Sequence, residues 1–199
     1  MPKPVLYYVR HGLTEWNRQQ RLQGRHDVPL IAEGRIQATR CGEILRALLA
    51  HDGRVPGDLV YVSSPLVRAR ETMELVRAAL GLPAAEYDVD ARLAEIAFGD
   101  WEGLTYEDVI ARDGDVVAKR ERDKWGFLPP GGESYAQVTA RVGAWYDALE
   151  HDAVVTAHGG TARALLAHLS IEERDAATHQ PIDHGVVYVY AGNRLVRHA

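Results

Sequence analysis

The stretch "VLYYVRHGLTEWN", residues 5–17, decides the reading of this chain. Its first five residues, Val5-Leu6-Tyr7-Tyr8-Val9, are β-branched, aromatic or aliphatic without interruption. A run of that kind and length predicts a strand covered on both faces, because a half-exposed strand would alternate with polar residues. A strand covered on both faces needs helices above and below it, which points to an α/β fold. Arg10, His11 and Gly12 follow at once. In open α/β sheets, ligands bind beyond the carboxyl ends of the strands, so the charged pair stands where a ligand would.

The rest of the chain repeats the pattern. "DLVYVS" (58–63), "DAVVTA" (152–157) and "GVVYVYA" (185–191) read as further strands bounded by turn residues. Between them, Cys41, Ile44, Leu45, Leu48 and Leu49 keep helical spacing, as do Leu66, Ala69, Met73, Val76 and Leu80. A third stripe runs Tyr135, Val138, Val142, Trp145 and Leu149, with Ser134 as its expected N-cap. These stripes are core-facing helix sides. The expectation is a three-layer α/β/α sandwich with a mostly parallel central sheet, organised as one domain over 1–199. Residues 96–133 show the least periodicity and read as an excursion from the sheet, a lid or specificity segment.

Composition narrows the function classes. A net charge of −5 argues against a broad nucleic-acid or anionic-membrane footprint, while leaving room for a local basic pocket. The single cysteine, Cys41, excludes an internal disulfide. No run approaches the ~18 apolar residues of a membrane span, and "MPKPVLYY" lacks the pattern of a leader peptide. A cytoplasmic location is expected, with a small molecule as ligand and a second copy of the chain as the one macromolecular partner left open.

Reading beyond each strand gives the site. Arg10 and His11 follow the first strand. Arg68 falls in the first turn of the helix after the second. His158, Gly159, Gly160 and Thr161 follow the third and open another helix. Parallel neighbouring strands would bring these groups to one pocket. Arginine binds phosphate with a planar fork, a helix N-terminus offers free N–H groups, and glycines admit close backbone approach. Phosphate and carboxylate both suit that set; two arginines with two histidines favour the multiply charged oxyanion. His26, His51, His151, His168, His179, His184 and His198 have no such context and read as surface or structural. No metal-ligand spacing and no G-x-x-x-x-G-K-[ST] loop is present. Cys41 lies within a helical stripe with no phosphate loop after it. The pair Asp88-x-Asp90 follows no convincing strand, which argues against an aspartyl-phosphate enzyme.

"RHGLTEWN" resembles the R-H-G-x-T-x-x-N signature of the histidine phosphatase superfamily, the phosphoglycerate-mutase-like proteins. The resemblance continues, in order, through "RLQGRHDVPL" (21–30), "SSPLVRARET" (63–72), "LAEIAFGDWEGLT" (93–105), "PPGGES" (129–134) and "VVTAHGGTARALL" (154–166). It implies a phosphoglycerate-mutase-like fold and phosphoryl transfer without a metal or other cofactor. By that resemblance His11 is the nucleophile, and Arg10, Arg68 and His158 hold the phosphoryl oxygens. Asn17 hydrogen-bonds the phosphoryl group, Gln23, Gly24 and Gly159 line the pocket, and Glu95 serves as acid and then base. Leu13 and Ile31 depart from residues common in the family at positions that carry no chemistry.

Gln23 before Gly24 resembles the phosphatase members more than the mutases, which usually have a small residue there. The expected activity is therefore a metal-independent phosphatase acting on a small phosphorylated metabolite. A phosphoglycerate-type mutase and a non-catalytic phosphate-binding or regulatory protein are the alternatives; the intact set of five polar residues speaks against the last. Phosphoprotein phosphatase activity by recruitment is a further reading. Lys119, Arg120, Arg122 and Lys124 read as a solvated charged face, although they could imitate the paired arginines of mutases. Trp101, Tyr106, Trp125 and Phe127 either line a mouth or form a satellite core.

Overall fold

The computed structural model describes residues 3–199. In chain order the elements are β1 (Leu6–Arg10), α1 (Glu15–Arg18), α2 (Ala32–His51), β2 (Val60–Ser63), α3 (Val67–Ala79) and β3 (Asp88–Val89). Then follow α4 (Tyr106–Arg122), α5 (Tyr135–Asp147), β4 (Ala153–Ala157), α6 (Gly159–His168), α7 (Arg174–Ala177), β5 (Val187–Ala191) and β6 (Arg194–His198). The six strands form one sheet in the order β3-β2-β4-β1-β5-β6. β2 and β1 flank β4 and run parallel to it, and β3 is parallel to β2. β5 and β6 close the other side antiparallel. The sheet is thus mixed and mostly parallel, as expected.

Alternate residues of β1 enter different cores. Leu6 and Tyr8 join Val138, Val142, Tyr146, Leu165 and Leu166 on the α5–α6 side. Tyr7 and Val9 join Cys41, Leu45, Leu49, Met73 and Val76 on the α2–α3 side. That double coverage is why β1 carries no polar residue before Arg10. The predicted stripes face these cores, and Ser134 caps α5 in a reciprocal box with Gln137.

Two elements differ from expectation. Residues 96–133 contain α4, which starts with a capping box between Thr105 and Asp108 and bends at Asp113. Its core face is narrow, Val109 and Val117 being its buried residues, so the apolar period is faint. β6 forms a hairpin with β5 across Gly192, whose φ of +62° suits glycine. The Asp88-x-Asp90 pair has a local use: Asp90 caps the turn at Ala91–Leu93 and pairs with Arg92. No helix among the described residues is long and apolar enough to cross a membrane.

Candidate active site

The strand order decides the site. Because β2, β4 and β1 are adjacent and parallel, their carboxyl ends lie side by side. A cavity of ≈ 160 Å³ opens there, and its wall includes Arg10, His11, Asn17, Gln23, Gly24, Arg68, Glu95 and Gly159. His158 lies behind that wall, its ring centroid 5.2 Å from that of His11. Each site residue anticipated from the sequence is therefore in or beside one cavity.

His11 is 2 % exposed. Its backbone N–H continues the β1–β4 ladder to the Ala157 carbonyl at 2.9 Å. Its Nδ1 lies 2.8 Å from the Gly12 carbonyl, a contact only an N–H can make favourably. That assigns the proton to Nδ1 and leaves the Nε2 lone pair. Burial, followed by the Arg68 charge, the neighbouring His158 ring and the Arg10 charge, holds His11 well below the ordinary histidine range. At neutral pH the ring is uncharged, with its Nε2 lone pair free.

The two arginines are held by carbonyls rather than carboxylates. Arg10 donates through Nη1 to the Ile182 carbonyl at 2.5 Å. Arg68 is fully buried and donates to the carbonyls of His26 (2.6 Å) and Gly24 (2.8 Å). Burial lowers Arg68 to about 10, which leaves it charged at neutral pH. The Nε atoms of both arginines are buried and have no partner among the described residues. Buried donors without partners are costly, and two of them beside His11 form a site for an oxyanion.

Asn17 is oriented by its own helix start. Thr14 N–H donates to Asn17 Oδ1 at 3.2 Å and Asn17 N–H returns a bond to Thr14 Oγ1. Oδ1 is thereby committed, and the Nδ2 donors are what Asn17 can offer a ligand. Gln23 Oε1 lies 3.0 Å from Thr14 Oγ1, which ties the same turn to the cavity wall. Glu95 is set against the start of α6: Oε1 accepts from the N–H groups of Ile96 (2.9 Å) and Gly160 (3.0 Å). His158 Nε2 lies 2.6 Å from Ser64 Oγ, while Tyr8 Oη accepts the His158 N–H at 2.9 Å.

The glycines divide their work differently from expectation. A Cβ on Gly160 would stand 2.4 Å from Glu95 Oε1, so Gly160 makes room for the carboxylate. Gly12 faces the backbone of Gly34, where a Cβ would meet the carbonyl oxygen at 2.1 Å. It serves the packing of β1's exit turn on α2, not an oxyanion.

Several site residues escaped the sequence reading. Arg21, Leu22, Phe98 and Arg163 also line the cavity. Arg163 stands four residues after Gly159, on the same face of α6, so helical spacing could have found it. His184, read from the sequence as surface or structural, lies half-buried beside His11; nothing local in the sequence signals that. Lys119 and Arg122 lie on the solvated face at the end of α4, as expected. Arg120 is paired with Glu121, and its side chain is only 14 % exposed. Lys124 is half-buried near His179, and burial together with Arg120 and Arg163 lowers it to about 8. Trp101 and Phe127 stack in a satellite core, Trp125 packs on the main core, and Tyr106 reaches Glu121. None of the four aromatics lines the cavity. Among the described residues no group of three or more His, Cys, Asp or Glu is placed to hold a metal.

The histidine phosphatase superfamily (branch 1) model matches residues 6–194. The chain belongs to that superfamily. A 2,3-bisphosphoglycerate-dependent phosphoglycerate mutase of Azorhizobium caulinodans is 35% identical over 191 residues, 89% of this chain and 90% of that protein. The crystal structure of a phosphoglycerate mutase from Thermus thermophilus aligns with a TM-score of 0.72 at 36% identity, covering 98% of each chain. The alpha-ribazole phosphatase of Shigella flexneri aligns with a TM-score of 0.75 at 27% identity, covering 93% of this chain and 89% of that one. Members of that superfamily are phosphoryl-transfer enzymes, mutases and phosphatases. These relatives include both mutases and a phosphatase.

Proposed function

We propose that this histidine phosphatase superfamily member is a metal-independent phosphatase for a small phosphomonoester, working through a phosphohistidine on His11. The observation that carries the reading is the orientation of His11, with Nδ1–H fixed on the Gly12 carbonyl and Nε2 left beside two unpartnered arginine donors.

In the first step Nε2 of His11 attacks phosphorus, the P–N bond forms and the P–O ester bond breaks. Arg10, Arg68 and the Nδ2 donors of Asn17 hold the non-bridging oxygens, whose charge grows in the transition state. Glu95 gives its proton to the leaving oxygen. In the second step Glu95, now a carboxylate, takes a proton from water; the oxygen attacks phosphorus and the P–N bond breaks. Inorganic phosphate leaves and the enzyme returns to its starting protonation. His158, neutral because burial and the two arginines depress it, has a buried Nδ1 with no partner among the described residues, which holds a phosphoryl oxygen beside the arginines. The segment 96–133 contributes Phe98 to the wall and acts as the specificity segment.

A mutase is the second reading, favoured by the names of the Azorhizobium and Thermus relatives. One experiment separates the two. Wild type and His11→Ala are assayed in EDTA with an aryl phosphomonoester, and with 3-phosphoglycerate in the presence and absence of 2,3-bisphosphoglycerate. Metal-independent release of phosphate, absent in His11→Ala, supports the phosphatase. Isomerisation without release supports the mutase, and equal rates for both proteins refute His11 as nucleophile.

A further inference from the structure

β1 and β5 pair antiparallel from Leu6↔Tyr190 to Val9↔Val187. Continued by two residues, that ladder would place Gly185 opposite His11. It does not continue, because Gly185 turns out of the sheet with φ +72°. The His11 carbonyl is therefore left without a backbone donor from β5, on the residue whose side chain must be aimed most accurately. His184 supplies the donor: its Nδ1 lies 2.7 Å from the His11 carbonyl oxygen. Its ring also stands edge-on to the His11 ring, with centroids 5.4 Å apart.

The segment that carries His184 is itself anchored. The Asp183 N–H donates to Tyr188 Oη at 2.6 Å, and the Asp183 carboxylate pairs with Arg197 of β6. On the other side, the Ile182 carbonyl takes the Nη1 bond of Arg10. Residues 182–184 thus hold both the phosphate-binding arginine and the nucleophile, and the β5–β6 hairpin holds residues 182–184. Burial and the Arg10 charge lower His184 to about 4, so the single proton of its neutral ring resides on the nitrogen facing the carbonyl.

We propose that His184 is a positioning residue for phosphoryl transfer, fixing the backbone of His11 so that Nε2 meets phosphorus in line. The proposal rests on the reading of His11 as nucleophile. His184 touches no reacting atom in it. Its effect is on the formation of phosphohistidine and not on the affinity for substrate, since the phosphoryl oxygens are held by other groups. Misplacing an attacking atom by a fraction of an ångström to 1 Å costs up to about 100-fold in rate.

The test follows formation of phosphohistidine by rapid quench, with p-nitrophenyl phosphate as donor, in wild type, His11→Ala, His184→Ala, His184→Asn and His184→Leu. An asparagine amide nitrogen occupies nearly the place of Nδ1 and can donate to the same carbonyl; leucine fills the space and cannot. The expected result is a ~10- to 100-fold slower phosphorylation in His184→Ala and His184→Leu, KM within about threefold of wild type, and restoration to within about threefold by His184→Asn. Thermal melts run beside the kinetics separate this from a loss of folded protein. Wild-type phosphorylation rates in His184→Ala and His184→Leu overturn the proposal, as does an asparagine variant no faster than leucine at equal melting temperature. Should wild type form no phosphohistidine, or His11→Ala form as much, the nucleophile assignment falls and the positioning role falls with it.

Discussion

Gly160→Ala tests the placement of Glu95 with a single methyl group. The new Cβ would lie 2.4 Å from Glu95 Oε1 and 2.7 Å from Ile96 Cγ2. An ordinary contact is about 3.4 Å or more, so the carboxylate must withdraw by ~1 Å and give up its bonds to the Gly160 N–H at 3.0 and 3.2 Å. A displacement of ~1 Å in a proton donor costs on the order of 100-fold, and loss of general acid catalysis altogether costs about 100- to 10,000-fold. The effect on stability is small, because two terms oppose each other. Overpacking costs about 1–3 kcal/mol, while alanine is favoured over glycine within a helix by ~1 kcal/mol. The assay is steady-state and burst kinetics with two aryl phosphates, one with a poor and one with a good leaving group. With the poor leaving group kcat is expected to fall about 30- to 100-fold at an almost unchanged melting temperature. With the good leaving group the burst survives, because little protonation is needed, but the steady state slows, because Glu95 must still activate water. Wild-type turnover of the poor leaving group by a folded Gly160→Ala protein would refute Glu95 as the acid.

Asn17→Asp keeps an acceptor for the Thr14 N–H but replaces the Nδ2 donors with negative charge; kcat/KM is expected to fall at least ~100-fold while the thermal melt stays within a few degrees. Arg68→Lys leaves a point charge that cannot bond the Gly24 and His26 carbonyls together, so both the melting temperature and kcat/KM should fall, and an unchanged melt would show that the two carbonyl bonds do not hold the loop. Acid should weaken the fold through its buried histidines. His11, His158 and His184 all titrate below their ordinary value when folded, so the unfolded chain binds more protons; their contribution is full above about pH 6.5 and is lost as pH falls toward the folded values. For His184 the window runs from about 6.5 to about 4 and bounds the loss at about 3 kcal/mol. Chemical denaturation between pH 7.5 and 4.5 should therefore show a steeper decline in wild type than in His184→Asn, and equal slopes would refute the linkage.

The sequence was informative wherever a local rule sufficed. The apolar runs of β1, β2, β4 and β5 were legible because strands covered on both faces tolerate few polar residues. α2, α3 and α5 were legible because their buried positions recur at helical spacing. The excursion was not, because α4 buries little and declares itself mainly by the Thr105–Asp108 box. The satellite core of Trp101, Val109, Val117 and Phe127 brings together residues whose hydrophobicity alone fits equally a mouth or a core.

By itself the sequence determined the chemistry at each strand end: an arginine closing β1 and a histidine after it, an arginine after β2, a histidine and two glycines after β4. Those are properties of consecutive residues, fixed by the chain's covalent order. Only the tertiary structure decided that β2, β4 and β1 are parallel neighbours, and hence that the three ends share one cavity. Only it decided that Gly160 yields to Glu95 across 65 positions and that His184 reaches His11 across 173. Contacts over such separations are set by sheet order and strand register, which depend on the packing of the whole core and leave no mark in any short stretch of sequence.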